Sequence, residues 1–260
     1  MSFQFANDAA AFIATSRSIL SEHGVEVRIG SDFLEYKEII AEHRPMQVLG
    51  FPFDPTHQNL TKNKAFWLTG WNDEGQLIHT QAAKHVDLCG KSLGGFLLKN
   101  FRMFPPPFKD IDIERSRFRA TPGSHGINGN VVYHGEVWMA PEQGIYRGSG
   151  LSTVLARTGL LEVIRRWDPD WVYGFMLRAV AFKGFAERMG YMHNEPGALL
   201  WYREGKDDPV EAFLTYLSRT DAAYMLDIPV SDFVTLPEPV PVREPIAMPV
   251  FSRRAEPVPA

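Results

Sequence analysis

The sequence predicts a mixed α/β fold, and three observations carry that prediction. Residues 136–191 read as strand, glycine-rich turn, helix, strand and helix, residues 65–86 read as a hairpin, and 45% of the 260 residues are hydrophobic against 22% charged. A chain of that length and composition can bury a large core.

Taken in order, an amphipathic helix is expected from Asn7 to His23, stopped by Gly24 and followed by a short strand, Val25–Ile29. Ser31-Asp32 offers a side-chain oxygen to the free amides of a second helix, Phe33–His43, which Pro45 ends. Ala65–Trp71 and Gln76–Val86 flank the turn Asn72-Asp73-Glu74-Gly75. A helix over Lys91–Phe101 ends before Pro105-Pro106-Pro107, within a segment, Asp87–Asn130, long enough to build an acceptor pocket over the scaffold. Val137–Ala140 reads as a strand ended by Pro141, a helix starts near Leu151, and a strand follows at Trp171–Met176. The next helix ends at Met189 with Gly190 as its left-handed terminator. A strand over Ala198–Arg203 and a helix over Pro209–Leu217 complete the order. From Pro229 onward eight of thirty-two residues are proline, which reads as an extended tail.

Composition narrows the function. No stretch approaches the ~18 apolar residues of a membrane span, and the N-terminus has no basic segment of the kind that opens a signal peptide. A single cysteine, Cys89, fits a reducing compartment and reads as a small buried apolar residue, so a cytoplasmic location is expected. The net charge of −4 gives no general attraction to nucleic acid. The eight histidines lack the spacing of a metal site, so no metal is expected.

The turn Arg147-Gly148-Ser149-Gly150-Leu151-Ser152 sits where a helix begins. There the first-turn amides lack helical partners and the macrodipole is positive, so a phosphate is a natural guest. A dinucleotide-binding turn would place a third glycine at Thr153, and a P-loop reading of Gly90-Lys91-Ser92 would need glycine at His85. The spacing from Arg147 to Gly150 instead resembles the acyl-CoA motif [Q/R]-x-x-G-x-[G/A] of the GNAT N-acyltransferase superfamily, with Ser152 departing at the last place. Arg178, Ala181, Phe185, Ala186, Gly190 and Tyr191 are similarly spaced to that family's N-x-x-A-x-x-x-F-Y-x-x-x-G-F segment. Arg178 stands for the usual asparagine, and Ala186 for the tyrosine that protonates the leaving thiolate.

The resemblance implies a GNAT-like, mostly antiparallel sheet flanked by helices. It implies one domain over 1–228, with 1–60 as a helical extension and 61–205 as core, followed by the proline-rich tail 229–260. It implies acetyl-CoA or another acyl-CoA as cosubstrate, a small-molecule or peptide amine as acceptor, no membrane or nucleic-acid partner, and a homodimer as one assembly open to the chain. The pyrophosphate would lie on Arg147, Gly148, Ser149, Gly150, Leu151 and Ser152. Pantetheine would add alongside the strand carrying Trp138, Met139 and Ala140, whose backbone would polarise the thioester carbonyl. Glu136 and His134 compete as base, and period-two alternation puts both on one face of their strand. His125 is a third candidate. Tyr191, Tyr146 or water would protonate the thiolate. Phe101, Phe104, Phe108 and Phe118 are candidates to line an acyl or acceptor pocket. An N-acyl-homoserine-lactone synthase-like enzyme and a non-catalytic acyl-CoA-binding module are the alternatives.

Overall fold

The computed structural model of the chain describes residues 2–108, 110–140, 150–229 and 232, the side chains of 2–6 excepted. Arg147, Gly148, Ser149, Tyr146 and nearly all of the expected tail lie outside the described residues. Among the described residues, eight strands form one sheet: β1 (Val25–Gly30), β2 (Ala65–Asn72), β3 (Leu77–Val86), β4 (Ile111–Phe118), β5 (Val131–Met139), β6 (Trp171–Leu177), β7 (His193–Arg203) and β8 (Val210–Ser218). Their order is β1-β2-β3-β5-β6-β8-β7-β4, and every neighbouring pair is antiparallel except β5 with β6. The expected mixed, mostly antiparallel sheet is therefore present, with a helical layer on each face.

On one face, α1 (Ser2–Glu22), α5 (Leu151–Trp167) and α8 (Arg219–Leu226) bury Phe12, Leu20, Leu155, Leu160 and Met225 against Phe66, Val132 and Phe213 of the sheet. On the other, α2 (Phe33–His43) and α3 (Leu93–Asn100) bury Tyr36, Ile40, Leu93 and Leu97 against Trp67, Tyr133, Leu214 and Trp201. Burial of each large apolar side chain is worth about 1.5–3 kcal/mol, so the two layers hold the sheet from both sides.

Local chemistry sets the element ends. Asp32 caps α2 as expected, its carboxylate accepting from the amides of Leu34 and Glu35. Gly190 ends its helix at φ 97°, a conformation that costs glycine little. Between β6 and Gly190 the expected single helix is two short ones, α6 (Arg178–Ala181) and α7 (Phe185–Met189), parted by left-handed Gly184. A further short helix, α4, spans Pro122–Gly126.

Three expectations are corrected. Pro209–Leu217 is not a helix but most of β8, between β6 and β7. Phe213 and Leu217 face one core and Ala212, Leu214 and Tyr216 the other, so the strand reads as a nearly continuous apolar run rather than an alternation. The long segment before Asn130 holds a strand not foreseen, β4, whose sequence IDIERSRF carries the charges that suit a sheet edge. Cys89 is exposed, at φ 51° in a left-handed turn, and is not a buried apolar residue.

Candidate active site

The parallel pairing of β5 with β6 stops early. Its register runs from Val131↔Trp171 to Tyr133↔Tyr173, although β5 continues to Met139 and β6 to Leu177. The strands part there, and a cleft of about 230 Å³ opens between them, lined among others by Glu136, Val137, Gly174, Met176 and Tyr191. In its lining, Gly174 has no room for a side chain: a Cβ would lie 2.7 Å from the carbonyl oxygen of His134 and 3.1 Å from the Tyr191 hydroxyl. Among the described residues, no strand pairs with this edge of β5 beyond Tyr133, which is the kind of edge an extended ligand with amide groups can join.

A bulge shapes the β5 side of the cleft. Thr80↔Trp138 and Ala82↔Gly135 are partners, so two steps along β3 oppose three along β5, and Glu136 is left over at φ 54°. Glu136 and His134 consequently face opposite sides of the sheet. This corrects the expectation of a shared face, because an inserted residue shifts the alternation by one.

Glu136 turns toward α2. Its Oε1 accepts from the amide of Gly50 at 2.8 Å and its Oε2 lies 3.4 Å from Nη1 of Arg44, the residue that caps α2. Arg44 Nη1 also donates to Thr80 Oγ1 at 2.8 Å, and Thr80 donates to the Glu136 carbonyl at 2.9 Å, tying the bulge to β3. The Arg44 guanidinium stacks over Trp138, 5.1 Å from the ring centroid. The Glu136 side chain is 10% exposed, and burial raises its pKa above the usual carboxylate range while Arg44 partly offsets the shift. The result is a carboxylate at the cleft with more affinity for a proton than a surface glutamate.

His134 turns toward α5 and is 2% exposed. Its two ring nitrogens lie 2.9 Å from the Tyr191 hydroxyl and 2.9 Å from Gln81 Oε1. Burial lowers its pKa to about 4, which leaves it a weak base with both nitrogens engaged. Tyr191 is buried, its pKa pushed up by burial, and its hydroxyl stands where the strands part. His125 is exposed on α4 and takes no part in lining the cleft.

The three strand residues expected to meet the thioester differ from one another. The Ala140 amide donates to the Ile78 carbonyl at 2.9 Å, so it is committed to β3. Successive amides point to opposite strand edges, so Trp138 faces β3 as well, and Met139 turns its N–H to the edge away from β3, as does Val137, which lines the cleft. The helix expected after the glycine turn begins at Leu151 with left-handed Gly150 (φ 79°) as its N-cap, and Ser152 lies in its first turn. Of the four phenylalanines, Phe104 lines the cleft beside Phe53 and Tyr133 on the α2 side.

Arg44, Gly50, Gln81 and His79 also shape this region, and none of them was visible as a site residue in the sequence. Arg44 and Gly50 meet Glu136 across 92 and 86 residues, a distance over which no local pattern carries a signal.

Sheet, helical layers and an open edge between two parallel strands make up a mixed α/β fold. No protein-family profile matches the sequence, and no curated protein matches it. Among solved structures, the chain is similar to a point mutant of the spermidine N-acetyltransferase SpeG from Vibrio cholerae, at 10% identity and a TM-score of 0.44, over 77% of this chain and 97% of that one. It is similar also to an N-acetyltransferase from Staphylococcus aureus Mu50, at 9% identity and a TM-score of 0.41, over 75% and 98%. NAA60 of Arabidopsis thaliana in complex with acetyl-CoA matches at 16% identity and a TM-score of 0.41, over 75% and 99%. These likenesses carry no argument about this chain, and the functional reading rests on the cleft.

Proposed function

We propose that this chain is an acyl-CoA-dependent N-acyltransferase, moving an acetyl or longer acyl group from a CoA thioester to an amine by direct transfer. The observation that carries the reading is the edge of β5 that no described strand pairs beyond Tyr133, with a carboxylate of raised pKa at the bulge beside it. Pantetheine lies along that edge as an added strand, the Met139 amide polarises the thioester carbonyl, and the pyrophosphate reaches the glycine-capped start of α5. The amine nitrogen attacks the carbonyl carbon, Glu136 takes the proton the amine sheds, and the C–S bond breaks to release thiolate, which takes a proton from water. Gly50 and Arg44 hold the carboxylate in place without filling the cleft.

The test is thiol release from acetyl-CoA against a panel of amines. Glu136→Gln keeps CoA affinity, because the amide is nearly isosteric, and lowers turnover by ~100-fold to ~10,000-fold, the range of a lost general base. Wild-type turnover in the variant would remove Glu136 from the chemistry, and an absence of CoA binding in the wild type would remove the acyl-CoA reading itself.

A further inference from the structure

Four buried side chains form a continuous hydrogen-bonded chain on the α5 side of the cleft. Tyr191 Oη lies 2.9 Å from His134 Nδ1, His134 Nε2 lies 2.9 Å from Gln81 Oε1, and Gln81 Nε2 lies 2.8 Å from His79 Nε2. Gln81 Nε2 is also 2.8 Å from the backbone carbonyl oxygen of Leu155 in α5.

That one carbonyl fixes the protons of the whole chain. A carbonyl oxygen only accepts, so the carboxamide nitrogen of Gln81 must be the atom facing Leu155, and the amide cannot be flipped. Its oxygen then faces His134 and only accepts in turn, which places a proton on His134 Nε2. The second amide proton of Gln81 goes to His79 Nε2, leaving the His79 proton on Nδ1, toward the Met139 sulfur at 2.8 Å. Burial keeps the His134 ring neutral at ordinary pH, so its Nδ1 carries a lone pair. The only proton left for the remaining bond belongs to the Tyr191 hydroxyl, and it points into the protein.

We propose that Tyr191 serves the cleft as a hydrogen-bond acceptor, its oxygen receiving an N–H donor of the bound ligand, and that it does not give its proton to the leaving group. His134, Gln81 and His79 are positioning residues that act through it. Location supports the role, since the hydroxyl stands 3.1 Å from where a Gly174 Cβ would sit, at the point where β5 and β6 part. On the acyl-CoA reading, on which the ligand's identity rests, the donor is either an amide N–H of pantetheine or the acceptor amine.

Two measurements test this. Nitrogen-15 NMR of histidine-labelled protein reads the tautomers without any ligand: His134 protonated at Nε2 and bare at Nδ1, His79 the reverse. A proton on Nδ1 of His134 at neutral pH overturns the proposal, and this arm stands even if CoA does not bind. The second arm uses Tyr191→Phe, with CoA affinity measured by calorimetry and steady-state constants measured with acetyl-CoA and an amine from the thiol-release panel. One lost hydrogen bond predicts about a tenfold weakening at unchanged kcat. Weakened CoA binding assigns the donor to pantetheine, and a raised amine KM assigns it to the acceptor. A fall in kcat with both affinities intact makes Tyr191 a proton donor and overturns the proposal, as does a variant identical to the wild type.

Discussion

One extra residue in β5 decides which way each titratable group of the site faces. Without the bulge, Glu136 would point at α5 with His134. With it, the carboxylate meets Arg44 and Gly50 while the imidazole joins Gln81 and Tyr191. The sequence names these residues as candidates because their chemistry suits acyl transfer. It cannot place them, since a bulge leaves no mark in a pattern of side-chain types. Because burial raises the Glu136 pKa, the acid limb of kcat/KM should lie above the ~4.3 of an ordinary glutamate, with activity lost as pH falls through it. Glu136→Gln should remove that limb, and a limb that survives belongs to another group. His134 and His79 bear on stability: burial holds them at about 4 and about 3 in the folded state. The unfolded chain takes protons near 6.5, so this stabilisation is complete above that pH and is lost as pH falls toward 4 and below. Denaturant melts of His134→Gln between pH 6.5 and 4.5 should show a slope shallower than wild type by about 1.4 kcal/mol per pH unit. An unchanged slope would mean that His134 is already charged in the folded protein.

Elements were legible where one face is solvated or an end is chemically marked. Asp32 announces α2, Gly24 and Gly190 mark helix ends, and Asn72-Asp73-Glu74-Gly75 joins β2 to β3, all within a residue or two of the structure. Illegible were β8, apolar on both faces, and β4, whose charges disguise an edge strand. The helix expected before Gly190 is broken by Gly184, a glycine that the periodicity alone passes over. The α2 cap lends itself to a test at this scale. Asp32→Ala should cost about 1 kcal/mol of stability through two lost cap bonds, measured by denaturant unfolding, and should leave acetyl-CoA turnover unchanged because the cap lies at the far end of α2 from Arg44. A matching loss of turnover would mean that α2 transmits its N-terminal strain to Glu136.

At the scale of the molecule, the candidate site comes from an interruption. A sheet that pairs β5 and β6 along their full length would satisfy its backbone and leave no place for a ligand; parting after Tyr133 leaves one edge of β5 open between two helical layers that hold the gap apart. The glycine turn and the helix after it pointed to an anion site in the sequence, because glycines and helix starts have local signatures. The cleft did not, since the length of a parallel pairing depends on residues some forty positions apart. Hydrogen exchange of the full chain with and without saturating acetyl-CoA tests ligand binding along β5 most directly. Slowed exchange is expected in two separate segments, the β5 amides around Val137 and Met139 and the first turn of α5 from Leu151, with β1 and β4 unchanged. Binding that protects neither segment, or saturating acetyl-CoA that protects nothing, would contradict it.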